Sequence, residues 1–243
     1  MKTICIIYLL AIVLLQCACK KPGCFEHAGA ATTITKPLSA FHSLTLNDNI
    51  DAILQQDTAE KIEINAPENI QPNISADITD SVLTISNSTE CRWLRNAGEK
   101  ITAIIHFKNL SLISYNGSGN VSNSDTLKLD RLQIESTTGA GNIELTIRNR
   151  YIGAYIFQEN AEVILHGNAQ SCYSYINARG KIDFTGFETE SMVIEYGGLA
   201  DTRINVTGNL DAIIYYKGNL IYTGNPVISR SEYFSSGRLI HAQ

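Results

Sequence analysis

The sequence lacks most of the features that helical proteins and nucleic-acid-binding proteins depend on. Its 243 residues include 5 prolines, and none lies between Pro72 and Pro226, so this long stretch can supply backbone N–H groups to β-ladders throughout. Runs rich in Ala, Leu, Glu and Lys with helical spacing are missing. Charged residues make up 18% of the chain and its net charge is −5, whereas a nucleic-acid-binding domain carries a basic patch or stripe. We therefore expect no nucleic-acid partner.

The motifs of common catalytic and metal sites are missing as well. The five histidines are scattered, with no HExxH pattern and no pair at ligand spacing. The segment Gly117-Ser118-Gly119 lacks the flanking spacing of a nucleophile elbow, and no Gly-Lys-Ser/Thr phosphate loop occurs. We therefore predict that the protein is not an enzyme and needs no metal or cofactor. A ligand-binding surface and a purely structural component of the cell envelope both remain open.

One catalytic alternative rests on carboxylates. Asp183, Glu195 and Asp201 fall in neighbouring repeats of the sequence and could converge on one face, as the acids of a polysaccharide-active enzyme would. A solvated outer face is the simpler interpretation, because all connections are short and no insertion offers a cleft or a lid.

What the sequence does contain is an internal repeat. The segment 117–121 (GSGNV) returns as 139–143 (GAGNI), and looser copies follow to the end of the chain. The small residues of the seven copies are spaced by 22, 20, 19, 20, 18 and 19 residues; they are Gly119, Gly141, Ala161, Gly180, Ala200, Gly218 and Gly237. A period near 20 is typical of a structural repeat.

A repeat of this length is suited to stacked β-structure. About 20 residues hold two short strands and two turns, and each unit has an apolar face that only a neighbouring unit can bury. We therefore predict an all-β fold, a β-solenoid with rungs of about 20 residues. The alternative is a series of β-hairpins in an antiparallel sandwich, which would not require regular spacing.

The amino-terminal segment predicts export. Lys2 is followed by an uncharged apolar run over 4–15, and the run is too short to span a bilayer, which takes roughly 20 residues. Its length and its flanks are typical of a signal peptide, which we assign to residues 1–18. Cleavage there removes only Lys2, so the net charge becomes −6.

A cysteine next to this cleavage point indicates a lipid anchor. Cys19 follows Ala18 and resembles the lipidated cysteine of bacterial lipoproteins, and it fits that pattern better than Cys17, which follows Gln16. Gln16 itself departs from the usual aliphatic residue of the motif. Lipidation of Cys19 predicts a membrane-anchored lipoprotein of the cell envelope, on the outer membrane or the cell surface. Secretion without a lipid is the alternative.

The rest of the chain divides into a tether and one domain. Residues 19–37 show no periodicity and are predicted to form the tether. Residues 38–243 alternate between apolar and polar side chains and are predicted to form a single β-solenoid domain. Within it, the less regular segment 38–105 is expected to provide capping layers, and the segment 106–243 the repeats with glycine at their corners.

Three further cysteines follow the anchor. Cys24 and Cys91 lie outside the repeat and are the predicted disulfide of an oxidising compartment. Cys172 lies in an alternating strand pattern, where a small buried side chain is the ordinary explanation.

Tyrosines in the second half of the chain suggest a binding surface. Side chains of like phase in successive rungs can form a ladder, and tyrosine is a frequent anchor in glycan and protein recognition. The candidate binding residues are Tyr173, Tyr175, Tyr196, Tyr215 and Tyr216. The alternative is that these rings fill the core. Strand edges at the ends of a solenoid often pair, so a homodimer is a further expectation.

Four segments together resemble a known family. They are 47–54 (NDNIDAIL), 90–93 (ECRW) and the two glycine turns at 117–121 and 139–143, and their order and spacing are similar to those of the head GIN domain family of auto-transporter adhesins among Bacteroidetes lipoproteins. The resemblance runs from about Cys24 to the end. It implies a right-handed parallel β-helix with two facing sheets, an adhesin-like role and no catalytic residues. The chain departs from the family pattern at Ala161 and Ala200, where another Gly-x-Gly is usual.

Overall fold

The computed structural model describes residues 28–90, 100–157 and 160–242. The predicted signal peptide, the predicted lipid anchor Cys19 and both cysteines of the predicted disulfide, Cys24 and Cys91, lie outside the described residues. The described regular structure is β except for a 3-10 turn at Gln71–Asn73. Within those ranges, no helix is long and apolar enough to cross a bilayer.

The described strands are short near the start of the chain and long in its second half. They are β1 (Ala31–Pro37), β2 (Ser43–Asp48), β3 (Asp51–Gln56), β4 (Lys61–Pro67), β5 (Ile74–Thr79), β6 (Val82–Asn87), β7 (Thr102–Phe107), β8 (Leu112–Gly117), β9 (Val121–Asn123), β10 (Leu127–Ser136), β11 (Asn142–Phe157), β12 (Glu162–Asn177), β13 (Ile182–Tyr196), β14 (Thr202–Ile214), β15 (Leu220–Thr223), β16 (Val227–Tyr233) and β17 (Leu239–His241).

The long strands form the rungs of a β-solenoid of about six turns. The first half of β11, 142–149, pairs in parallel with 162–169 of β12, and its second half, 151–157, pairs in parallel with 171–177. The same two-part pairing joins β12 to β13 and β13 to β14. We call the stack of first halves the first wall and the stack of second halves the second wall. The predicted solenoid is confirmed, and the antiparallel sandwich is excluded because pairing within the repeats is parallel.

Both walls bury every second residue against one core. On the first wall, Ile143 lies beside Val163 of the next rung, and Val163 lies beside Ile182 of the rung after that. All three side chains are buried, and the polar residues between them face outward. Burying one such side chain contributes about 1.5–3 kcal/mol, so each added rung extends a continuous ladder of aliphatic contacts.

The small residues of the repeat meet the backbone of the preceding rung. A Cβ atom added at Gly141 would overlap the carbonyl oxygen of Gly119, and one added at Gly180 would overlap that of Ala161. At Gly218 it would overlap the carbonyl oxygen of Ala200. Backbone atoms of a paired rung are not free to move aside, so the close stacking of rungs explains the glycines at this period, where the largest residue is the alanine at Ala161 and Ala200.

A buried tyrosine explains the first glycine of the Gly139-Ala140-Gly141 turn. The Tyr115 hydroxyl donates a hydrogen bond to the Gly119 carbonyl (2.6 Å) and accepts one from the Gly141 amide (3.0 Å), which ties two consecutive corners together. A Cβ atom at Gly139 would overlap the Tyr115 ring. The two glycines therefore leave room for two different neighbours, a ring and a backbone carbonyl.

Segment 38–105, predicted to form capping layers, contains two kinds of strand. β2 pairs in parallel with β6 and β8, and β3 pairs in parallel with β7 and β9, so β2 and β3 sit between strands that come later in the chain. β4 and β5 instead run antiparallel to β7 and β6. The antiparallel strands close the amino-terminal end of the solenoid, whereas β2 and β3 belong to the stack itself.

The predicted tether is too long at its carboxyl end. Residues 31–37, assigned to the tether at 19–37, form strand β1, which pairs antiparallel with β4 along its whole length. The prediction failed because β1 is an outer strand whose residues are nearly all exposed, so it lacks the apolar alternation that marks a strand with one buried face.

The stacking of small residues against carbonyl groups can be tested with one glycine pair. We expect Gly180→Ala to lower the free energy of unfolding by about 2 kcal/mol, because the new methyl group must displace paired backbone. Gly153→Ala is the matched control, since its Cβ atom would meet a side-chain atom of Tyr155 at 3.0 Å on the outer face. The control should lose less than about 1 kcal/mol. Equal losses in thermal or denaturant unfolding would contradict this explanation.

Candidate functional site

The outer side of the second wall carries a cluster of aromatic rings. Parallel pairing places outward side chains of successive rungs side by side, as Tyr155 lies beside Tyr175 and Tyr175 beside Glu195. We call this cluster the aromatic face; its members are Tyr155, Phe157, Tyr173, Tyr175, Tyr215 and Phe234.

Ring contacts join neighbouring rungs of the aromatic face. The ring centroids of Tyr155 and Tyr173 are 5.5 Å apart, and those of Phe157 and Tyr175 are 5.3 Å apart. Both pairs are tilted by 37°, a geometry that aromatic pairs favour over a face-to-face sandwich. The rings therefore hold one another in place while part of each remains open to solvent.

A carboxylate organises the centre of this face. The Tyr173 hydroxyl donates a hydrogen bond to Glu195 Oε1 (2.7 Å), and the Tyr215 hydroxyl donates one to Glu195 Oε2 (2.9 Å). The hydrogen bond to the Glu195 carboxylate, together with partial burial, raises the pKa of Tyr173 to about 12. The same hydrogen-bonded carboxylate raises the pKa of Tyr215. Glu195 thus fixes the orientation of two rings.

A groove of about 560 Å³ opens beside the aromatic face, where the second wall turns into the next corner. Its lining combines aromatic rings, an amide, a guanidinium group and small residues; the lining residues are Tyr175, Asn177, Ala178, Arg179, Gly197, Leu199, Tyr215 and Tyr216. Tyr215 stacks on Phe234 with centroids 5.3 Å apart, and the Lys217 ammonium lies 5.8 Å from the Tyr216 ring centroid. The groove therefore offers flat apolar surfaces next to hydrogen-bond donors.

Four of the five predicted binding tyrosines lie on this surface. Tyr173 and Tyr175 are half-buried members of the aromatic face, and Tyr215 and Tyr216 are exposed at the groove. The prediction is wrong for Tyr196, which is 2% exposed and donates a hydrogen bond to the Ala200 carbonyl. Tyr196 follows the outward-facing Glu195 in the same strand, so it must point into the core, where it braces its corner as Tyr115 does.

Other residues of the site were missed by sequence reasoning. Asn177, Arg179 and Leu199 line the groove. Arg179 and Leu199 directly precede the small residues Gly180 and Ala200 of the repeat, but none of the three was predicted to bind a ligand. A signal existed in the repeat itself, because Phe157, Asn177 and Gly197 are spaced by 20 residues and Tyr215 follows 18 residues later. Reading the sequence in columns of one period would have placed these residues together.

The three carboxylates of the catalytic alternative do not converge. Asp183 lies on the first wall, where it accepts a hydrogen bond from the Thr185 amide (3.0 Å). Glu195 lies on the second wall, and Asp201 lies at a corner, where it accepts hydrogen bonds from Asn219. Each carboxylate is engaged with its own neighbours, and no two of them form a pair across a cleft.

Cys172 is a core residue, as predicted. It is buried, and its sulfur lies 3.3 Å from the Ser174 hydroxyl oxygen. Burial raises the pKa of the Cys172 thiol to about 12, so the group stays protonated and unreactive. Within the described ranges, no three His, Cys, Asp or Glu side chains gather as metal ligands would.

The role of Glu195 can be tested by tyrosine titration. Because the folded-state pKa of Tyr173 lies above its ordinary value of 10.0, the hydrogen bond stabilises the fold fully below about pH 10 and ceases to do so as the pH rises towards 12. We expect Glu195→Gln to shift ionisation of Tyr173 back towards pH 10, seen by ultraviolet difference titration. Glu135→Gln is the control, since the Glu135 carboxylate accepts from Gln133 on the same wall. An unchanged titration in Glu195→Gln would refute the assignment.

Solved bacterial structures share this fold. One, described as a putative adhesin from Bacteroides fragilis NCTC 9343, matches with a TM-score of 0.78 and 23% identity over 88% of this chain and 97% of that one. A putative adhesin from Parabacteroides distasonis ATCC 8503 matches with a TM-score of 0.68 and 18% identity over 88% and 98% of the two chains. A putative lipid binding protein from the same organism matches with a TM-score of 0.66 and 19% identity, again over 88% and 98%.

Family membership comes from the sequence. No curated protein matches the chain. A family model described as "Putative auto-transporter adhesin, head GIN domain" matches residues 40–226, which include both walls of the solenoid and the aromatic face up to Tyr215. The chain therefore belongs to the head GIN domain family of auto-transporter adhesins, DUF2807.

Proposed function

We propose that this protein is an exported, lipid-anchored adhesin-like module that binds carbohydrate in the groove beside its aromatic face and catalyses no reaction. The observation that carries the proposal is the groove itself, where Tyr175, Tyr215 and Tyr216 border a space of about 560 Å³. Its size falls within the range of small-molecule sites.

The chemistry of the lining favours a sugar. A pyranose ring has an apolar face of C–H groups and a rim of hydroxyls, and exposed tyrosine rings match the face while their hydroxyls reach the rim. Asn177 supplies an amide that can both donate and accept, and Arg179 supplies only donors. A long acyl chain fits less well, because this groove is open to solvent and its lining includes the polar side chains of Asn177 and Arg179.

The tyrosines are held in place before any ligand arrives. Glu195 accepts hydrogen bonds from Tyr173 and Tyr215, and Tyr215 also stacks on Phe234. Rings that are already ordered lose less side-chain entropy on binding, which improves affinity without adding contacts. The cluster therefore supports a binding role rather than a purely structural one.

Two further observations support an adhesin-like role over an enzymatic one. The fold is shared with proteins described as putative adhesins. Asp183, Glu195 and Asp201, the residues of the alternative polysaccharide-active enzyme, lie apart and engage separate neighbours. A surface for holding a ligand, with no acid–base pair, is the function that this geometry supports best.

Attachment to the membrane depends on Cys19 in this proposal. We expect Cys19→Ser to release the protein from the membrane fraction of the cells that produce it, because one serine cannot carry the thioether-linked lipid. Cell fractionation and metabolic labelling with a fatty acid measure this directly. Cys17→Ser should remain labelled and membrane-bound. Continued labelling of Cys19→Ser would show that another residue carries the lipid.

Ligand binding depends on Tyr216 in this proposal. A panel of neutral, N-acetylated and carboxylated oligosaccharides should include binders, and Tyr216→Ala should weaken their binding about tenfold, since it removes one stacking surface. Tyr151→Ala is the matched control, because Tyr151 lies on the same wall outside the groove and packs under Arg131 (4.8 Å). Isothermal titration calorimetry measures both.

The same panel separates the competing ligands. Binding to phospholipid vesicles with no binding to any oligosaccharide would replace the sugar with a lipid in this groove. Equal weakening by Tyr151→Ala and Tyr216→Ala would place the site elsewhere on the wall. Turnover of any oligosaccharide would restore the enzymatic alternative.

A further inference from the structure

The last described rung of the solenoid ends in exposed apolar side chains. This rung consists of β16 on the second wall and β17 on the first. Half of the large hydrophobic residues exposed in the described part of the chain lie in these two strands or directly after β16; they are Val227, Ile228, Tyr233, Phe234 and Ile240. Exposed large apolar side chains are therefore concentrated at this end of the stack.

Two of these residues occupy core positions. Ile228 lies beside Leu210 of the preceding rung, and Tyr233 lies beside Ile214. Leu210 and Ile214 are fully buried, whereas Ile228 is 37% exposed and Tyr233 is 42% exposed. The inward ladders thus continue into the last rung, where the Arg238 guanidinium lies over the Tyr233 ring (5.3 Å) and no further strand of the described chain covers these side chains.

The backbone of this rung is open as well. β16 pairs in parallel with β14, and no ladder among the described strands occupies its other edge. The opposite end of the solenoid is closed by antiparallel strands, with the polar strand β1 outermost on its wall. An exposed, apolar strand edge is a template for pairing with another strand.

We propose that β16 pairs antiparallel with β16 of a second copy of this chain, about a two-fold axis at Ser231. The three residues Arg230-Ser231-Glu232 are self-complementary in this register, because Arg230 then faces the partner's Glu232 and Glu232 faces the partner's Arg230. Opposite charges directly across an antiparallel pair stabilise it. Charge complementarity, as well as exposed apolar surface, therefore favours a second copy of this chain as the partner of β16.

The apolar residues agree with this register. Arg230 lies beside Asp211, which faces outward on the preceding rung. Ser231 and Tyr233 lie beside the inward-facing Ala212 and Ile214, so they point inward, as Ile228 does. A two-fold axis at Ser231 places the partner's Tyr233 opposite Ser229, the extra residue of the register shift in β16, and therefore next to the inward-facing Ile228. The two cores then meet end to end and cover the side chains that one copy leaves exposed.

Pairing of this kind has a functional consequence beyond the binding site. Antiparallel pairing continues the second wall from one copy into the other, so both aromatic faces lie on the same side of the dimer. Two sites on one rigid body can bind a repeated surface ligand together, which raises avidity well above the affinity of one site. The dimer itself does not depend on what the groove binds.

Sedimentation velocity on the purified Cys19→Ser chain tests the proposal. The wild-type edge should give a reversible dimer, and Arg230→Glu should raise the dimer dissociation constant about tenfold, because it places like charges across both symmetric contacts. The double swap Arg230→Glu with Glu232→Arg should restore the dimer. Both variants lose the ion pair between Arg230 and Asp211 (2.7 Å), and the double swap reverses the 3.9 Å contact between Arg230 and Glu232 within one chain, so the contact across the two-fold axis is read from the dimer dissociation constant and not from the stability of the fold.

Arg203→Glu on the first wall is the control for added negative charge and should leave the dimer unchanged. Thermal unfolding of each variant establishes that it is folded. A chain that stays monomeric at every concentration overturns the proposal. So does a dimer that resists Arg230→Glu, or one that the double swap fails to restore, because either result places the contact elsewhere.

Discussion

The parallel register between successive rungs is the constraint on which this structure depends. Each residue of a long strand lies beside the residue about 20 positions later in the chain, as Ile143 lies beside Val163. Similar residues therefore stack on one another, and a residue pattern that recurs once per period forms a ladder of side chains along the solenoid. The aliphatic ladder fills the core, and the small-residue ladder allows the rungs to approach closely at the corner, where Gly141 meets the Gly119 carbonyl.

The same register produces the candidate site. Outward-facing residues are less constrained by packing than core residues are, so a ladder of side chains on the outer side can carry groups that bind a ligand. On the second wall, that ladder joins Tyr173 and Tyr215 through the Glu195 carboxylate and ends at the open groove beside Tyr216. The flat wall thereby carries a local, ordered surface without any long loop among the described residues.

Much of the fold could be predicted from the sequence, because the period of the sequence repeat equals the length of one rung. The spacing of Gly119, Gly141 and Gly180 indicated stacked rungs, and alternation placed Cys172 inward. Alternation also identifies Tyr196 as a core residue when it is counted from Glu195, so that error came from selecting tyrosines by type rather than by phase. The groove could not be found by motif, because its residues come together only when successive periods are placed in register.

The remaining features depend on contacts between distant segments. Insertion of β2 and β3 among later strands is set by pairing over more than 60 residues of sequence, as between Ser43 and Leu112, and no local pattern encodes it. Strand β1 is a second example, since its exposed residues show no buried face and only its ladder with β4 defines it. Such long-range pairings close the amino-terminal end of the solenoid.

The most direct measurement of the central claim is an NMR titration of the chain carrying ring-labelled tyrosine with the neutral, N-acetylated and carboxylated oligosaccharides. If carbohydrate binds in the groove, shifts concentrate in Tyr175, Tyr215 and Tyr216, while the core tyrosines Tyr115 and Tyr196 keep their signals. Shifts confined to tyrosines outside the groove, or no shift with any member of the panel, would contradict carbohydrate binding in the groove.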